Sequence, residues 1–203
     1  MLEYLIFGIT YGFIAAVQPG PLQTYIISQT LTKGWKLTLP VSIAPIISDI
    51  PIFFLTIFVL NLFSDSFLSA IRILGGIFLI YLAFKTYSTW KNYNTSEITI
   101  KQNNKTFTNA IIVNILNPNP YLGWSLIMGP LFLEGWQISP HYGISLIIGF
   151  YLTMALLLVI TILLFAFAKK FGNKVSRHLL GLSAVGLVLF GIYQLSVGLK
   201  TVI

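Results

Sequence analysis

The chain has 203 residues, of which 56% are hydrophobic, 15% aromatic and only 8% charged, and its mean hydropathy is +0.87. A water-soluble domain carries about a quarter of its residues charged, so this composition excludes an ordinary soluble globule and indicates an all-α integral membrane protein. The +7 formal charge comes from Lys and Arg scattered between apolar runs, which reads as a topology signal rather than a nucleic-acid footprint, and the absence of Cys excludes disulfides, thiol redox chemistry and thiolate metal sites.

A spanning helix needs about 20 mostly apolar residues, since each advances about 1.5 Å through about 30 Å of hydrocarbon. The first candidate span runs over residues 4–32. Met1-Leu2-Glu3 ahead of it lacks the basic start of a secretory signal peptide, so the segment is expected to be retained. Gly8 and Gly12 give it a GxxxG pattern that permits close helix contact within the bundle. Near its middle stands Gln18-Pro19-Gly20-Pro21, and Gly34-Trp35 follows its end. The second span, 37–64, is uncharged except for Asp49 near its centre, flanked by Pro45 and Pro51; Pro51 frees the carbonyl of Ile47. The third, 67–90, carries Arg72 and Lys85, whose long side chains reach opposite interfaces by snorkelling. Residues 91–105 (KNYNTSEITIKQNNK) form a polar loop with too few apolar residues to fold alone, so disorder is expected there. The fourth span, 106–133, contains Asn117-Pro118-Asn119-Pro120 near its middle and is followed by Gly135-Trp136; the fifth and sixth are 143–168 and 178–199. Trp35, Trp90 and Trp136 read as interfacial belt residues, as do His141 and His178, and Glu134 and Asp65 read as loop charges.

Loop charge decides for six spans over five. With six, Lys33, Lys36, Lys85, Lys91, Lys101, Lys105, Lys169, Lys170, Lys174 and Arg177 share one side, and only Arg72 and Lys200 lie on the other. The positive-inside rule places the large group in the cytoplasm and both termini outside. The chain then divides into residues 1–90, a cytoplasmic loop 91–105, and residues 106–203. Three spans per half is an odd number, so related halves must be inverted. The paired x-Pro-x-Pro breaks and Gly-Trp pairs support two inverted three-helix repeats, and Gly75-Gly76 and Gly186 align loosely in the third and sixth spans.

A mid-helix proline removes an N–H and displaces the carbonyl four residues back, at about 3 kcal/mol if uncompensated. In lipid, the freed groups must face protein or a water-filled cavity. One such break reads as a packing kink; two at matching positions in inverted halves point to a transport site at the midplane. A helix restarting after Pro21, and its counterpart after Pro120, would aim amide N–H groups and the positive dipole end at the break, which suits a carboxylate. Gln18, Pro19, Gly20, Pro21 and Gln23 on one side, and Asn114, Asn117, Pro118, Asn119 and Pro120 on the other, are the candidate substrate-binding residues, with Trp124 lining the site. Asp49 is the one acidic residue deep in any span. Burying it ionised costs about 2.5 to 3.5 kcal/mol even on the lenient insertion scale, so it suits a proton carrier or a partner for a substrate amine.

Together, Pro19-Gly20-Pro21, a turn at Gly34, a mid-membrane Asp49, a basic loop and Asn117-Pro118 resemble the lysine exporter (LysE-type) family of bacterial amino-acid exporters, over essentially the whole chain. The resemblance implies secondary, proton-driven export of amino acids or related small metabolites across the cytoplasmic membrane. Carried over residue by residue, the motifs fall on Pro19, Gly20, Pro21, Asp49, Asn117 and Pro118. The chain departs where many relatives have Lys after the Asn-Pro pair, since it has Asn119 and then Pro120; a lysine, threonine or homoserine substrate is therefore not carried over. Export direction rests on the resemblance alone. The expected partners are a zwitterionic small molecule, protons and the lipid bilayer, with a homodimer as a candidate assembly and no cofactor. On the same fold, a divalent-metal exporter would place several carboxylates or His at the site, where Asp49 stands alone, and a lipid-precursor exporter would suit an aromatic-rich cavity. No nucleophile–base pair or metal triad marks a membrane enzyme.

Overall fold

The computed structural model describes residues 1–58, 65–92 and 105–200, and these are helical with short connections. The end of the predicted second span and nearly all of the polar loop expected to be disordered lie outside the described residues. The first predicted span is two helices, α1 (Leu2–Val17) and α2 (Pro21–Lys33), which meet at 61°. The second begins with α3 (Trp35–Thr38) and a 3-10 turn (Leu39–Ile43) and continues as α4 (Ala44–Phe58). The long α5 (Asp65–Lys91) follows. The fourth predicted span is divided into α6 (Lys105–Ile115), α7 (Pro118–Gly123), a π-helical turn (Trp124–Met128) and α8 (Gly129–Ile138). It is followed by α9 (Pro140–Ala168) and α10 (Asn173–Lys200).

Local chemistry explains the boundaries. Pro21, Pro118 and Pro140 each open a helix, where the missing N–H has no acceptor to lose and the fixed φ already suits the first turn. Gly34 (φ 86°) and Gly172 (φ 105°) occupy the left-handed conformation between consecutive helices, which other residues adopt only with strain. Glu134, expected in a loop, sits exposed on α8, because the helix runs on to Ile138 before Ser139 turns extended.

Among the described residues, four stretches are long and apolar enough to cross a membrane: Trp35–Ile57, Ser69–Lys91, Pro140–Phe171 and Asn173–Lys200. The bent pair α1 and α2 makes a fifth if it is one span. Exposed Phe13, Phe84, Leu126, Leu164, Leu182 and Tyr193 put large apolar side chains on the outer surface, as a lipid-facing bundle requires.

With lipid outside, helices associate through close packing rather than hydrophobic exclusion, so small residues mark the seams. Side chains at Gly8 and Gly12 would run into the backbone of α9 at Leu146 and Phe150, and one at Gly149 into the backbone of α1 at Leu5. The α5–α10 seam is built the same way, with Gly76 against the Gly191 carbonyl and Gly198 against that of Ser69. The extensive pairings are thus α1 with α9 and α5 with α10, while α4 packs on α6.

Candidate functional site

The two chain breaks and the buried carboxylate converge on one cavity of about 120 Å³. At the first break, the backbone of Gln18 leaves the helix and Gly20 is extended (φ −163°, ψ 178°). The carbonyls of Ala15 and Ala16 therefore lose the N–H groups that a continuous helix would offer at positions 19 and 20. The Gln23 side chain folds back and replaces them, its Nε2 donating to Ala15 (3.1 Å) and Ala16 (3.3 Å). The Thr24 N–H is satisfied by the Gly20 carbonyl at 3.0 Å. The amides of Leu22 and Gln23 ahead of it belong to the helical turn that has no intrahelical acceptor, and both residues lie on the cavity wall.

At the second break, α6 tightens through an Asn117 N–H to Asn114 carbonyl bond (3.1 Å). Asn117 then turns extended, and its Oδ1 caps the next helix by accepting from the Asn119 N–H at 3.1 Å. That helix restarts at Pro118, not after Pro120 as the sequence reading had it. Both prolines fit within the first helical turn, where neither removes a needed donor. Beyond it the turn widens, so that the Gly129 N–H reaches the Trp124 carbonyl five residues back. The widening directly precedes Pro130, which has no N–H to give Leu126.

Asp49, on α4, is 3% exposed. Its Oδ1 accepts from Asn114 Nδ2 at 2.8 Å and its Oδ2 from the Tyr151 hydroxyl at 3.1 Å. Asn114 Nδ2 also donates to the Ser48 hydroxyl at 2.7 Å, so one carboxylate ties α4 to α6 and α9 just ahead of the second break. Trp124, 2% exposed, packs edge-on against Phe53 (5.0 Å between ring centroids) and stacks on Tyr151 (6.4 Å). Its indole N–H lies beside the Asp49 carboxylate and the Tyr151 hydroxyl without hydrogen-bonding geometry to either, and has no partner among the described residues.

Of the residues singled out from sequence, Gln18, Pro19, Gly20, Gln23, Asp49, Asn114, Asn117, Asn119, Pro120 and Trp124 line this cavity. Gln18, Pro19 and Asn119 are exposed at its mouth. Pro21 and Pro118 are buried at the heads of their helices and are not on its wall. Met128, Phe150, Met154 and Leu158 are among the other lining residues; as apolar residues in apolar runs they carry no sequence signal. Tyr151, the second partner of Asp49, had a weak one, a hydroxyl in the fifth span that Ser145, Thr153 and Thr161 share. So did Gln194, whose buried Oε1 lacks a partner among the described residues and lies with the Leu116 carbonyl against Gly75. That carbonyl is the one Pro120 leaves without its helical donor.

Away from the cavity, on the Lys33 side, polar contacts join three helices. The Tyr25 hydroxyl donates to the Thr106 carbonyl (3.2 Å), Lys33 Nζ donates to Thr106 Oγ1 (2.6 Å), and Ser28 and Thr86 share a hydrogen bond of 3.0 Å. Among the described residues, no group of three or more His, Asp or Glu could hold a metal ion.

The family described as LysE type translocator matches residues 13–198. No curated protein and no solved structure matches the chain.

Proposed function

This chain belongs to the LysE type translocator family, and on that premise we propose that it is a secondary transporter exporting amino acids or closely related small metabolites, coupled to protons and working by alternating access. The observation that carries the reading is the meeting of two helix breaks at one cavity beside a buried carboxylate. Donors on the cavity wall suit the carboxylate of a zwitterion, and Asp49 suits its ammonium. A bare carboxylate is costly inside a membrane, so Asp49 is neutralised in turn by the substrate ammonium and by a proton. Mutual exclusion of the two at one side chain couples their movements in opposite directions.

The architecture proposed with it is six spans in two inverted repeats, residues 1–90 and 106–203, with the helices from α6 to α8 acting together as the fourth span. An inverted repeat exchanges the first span with the fourth, the second with the fifth and the third with the sixth. Under that exchange the α1–α9 contact becomes the α4–α6 contact, and α5–α10 maps onto itself; the helix pairings of this bundle are compatible with that pattern. The loop charges favour an inner-membrane orientation with both termini outside. The contacts among Tyr25, Lys33 and Thr106 then lie toward the cytoplasm, where their breaking and re-forming would gate that side.

The test is counterflow in proteoliposomes. Vesicles loaded with unlabelled amino acids should accumulate labelled amino acid transiently and saturably, and an imposed pH gradient should drive net accumulation. Flux of divalent ions or of a lipid precursor, with no exchange of any amino acid, would overturn the reading.

A further inference from the structure

Two groups of opposite character stand side by side on the cavity wall. Asp49 presents carboxylate oxygens, and the adjacent Trp124 indole N–H is a buried donor with no partner among the described residues. A buried donor of this kind finds an acceptor in nearly every folded protein, so the indole N–H points to a ligand acceptor next to whatever Asp49 binds. A simple amine does not supply one. A divalent ion is disfavoured, because the indole offers it the positive end of an N–H dipole beside a single carboxylate. A molecule with an ammonium and a carboxylate on the same carbon supplies both. On α9, Phe150, Met154 and Leu158 recur every fourth residue, so they stack along one helix face, and all three line the cavity together with Met128. That wall is apolar and, through its methionines, adaptable in shape. A charged side chain against it would lose its hydration without a partner.

We propose that the cavity selects α-amino acids with uncharged, apolar side chains, binding the ammonium at Asp49, the carboxylate at the Trp124 indole N–H, and the side chain along Met128, Phe150, Met154 and Leu158. This rests on the transport reading above and assigns Trp124 as the residue that distinguishes a zwitterion from an amine.

The experiment is calorimetric titration of the purified full chain in nanodiscs with L-leucine, L-methionine, isoamylamine, isocaproate, L-lysine and L-glutamate. Leucine and methionine should bind, and isoamylamine and isocaproate, each lacking one of the two head groups, should bind at least about tenfold more weakly. Lysine and glutamate should be weaker still. Trp124→Phe should bring leucine to within about threefold of isoamylamine while leaving isoamylamine unchanged. Tightest binding of lysine or glutamate would overturn the apolar assignment and leave the transport reading intact. Equal weakening of leucine and isoamylamine by Trp124→Phe would make the indole a packing residue only. Absence of binding and of counterflow for every amino acid would remove both readings. Should Trp124→Phe not fold, the ligand series on the unaltered chain decides the substrate class.

Discussion

Asp49→Asn removes the charge from the cavity wall and changes its shape hardly at all. In the native site one carboxylate oxygen accepts from Asn114 and the other from Tyr151. An amide still accepts from Asn114, and its NH2 group faces Tyr151, whose hydroxyl can turn and accept instead. Exchanging a charge-assisted for a neutral hydrogen bond costs about 1 kcal/mol at each of the two contacts. Against this, the variant no longer buries a carboxylate, a burden of about 2.5 to 3.5 kcal/mol on the insertion scale. Thermal stability should therefore be unchanged or raised. Binding should move the other way: removing one partner of a buried charge pair costs about 2 to 5 kcal/mol, or roughly 30-fold to several-thousand-fold in Kd. The assay pairs thermal unfolding with calorimetric titration of leucine, and proteoliposome counterflow with accumulation driven by a pH gradient. Acidification should weaken leucine binding to the native protein, where proton and ammonium compete, and should leave the residual binding of the variant unaffected. Leucine affinity within threefold of native together with normal pH-driven accumulation would refute the reasoning. Retained affinity with lost accumulation would leave Asp49 a proton carrier and refute its pairing with the amine.

Replacing Pro19 and Pro21 together by Ala lets α1 and α2 join through residues 18–20, which should abolish counterflow in reconstituted vesicles while membrane insertion and thermal stability are retained; normal transport would reduce the break to a kink. Because the chain has no native Cys, single cysteines at Ser96 and Ser139 can be labelled without background. An impermeant maleimide applied to intact cells should reach Ser139→Cys and spare Ser96→Cys, and labelling of both from outside would reject the six-span topology. Gly12→Leu drives a side chain into the α9 backbone at Phe150, and overpacking of this kind costs about 1 to 3 kcal/mol or more. It should lower the unfolding temperature in detergent, whereas Phe13→Leu on the exposed neighbour should not.

The membrane class, the two breaks and the isolation of Asp49 were legible in the chain because each is a local contradiction: too few charges to face water, prolines where a helix should continue, a carboxylate in hydrocarbon. Such contradictions need no knowledge of neighbours to be seen. The seams were half legible. Gly8 and Gly12 announced a close approach, but that the approaching backbone is α9 follows from packing alone. The point at which the second helix restarts was misplaced by two residues, since a proline's effect depends on where in the turn it falls, and Asn117 decided that by capping. The partners of Asp49 lie far along the chain, Asn114 on α6 and Tyr151 on α9. No periodicity encodes a hydrogen bond across three helices. Nor does any pattern separate Met128, Phe150, Met154 and Leu158, which wall the cavity, from the many apolar residues that face lipid. In a chain whose inside and outside are equally apolar, hydrophobicity selects the membrane, and only the tertiary packing of helix on helix selects which face becomes the site.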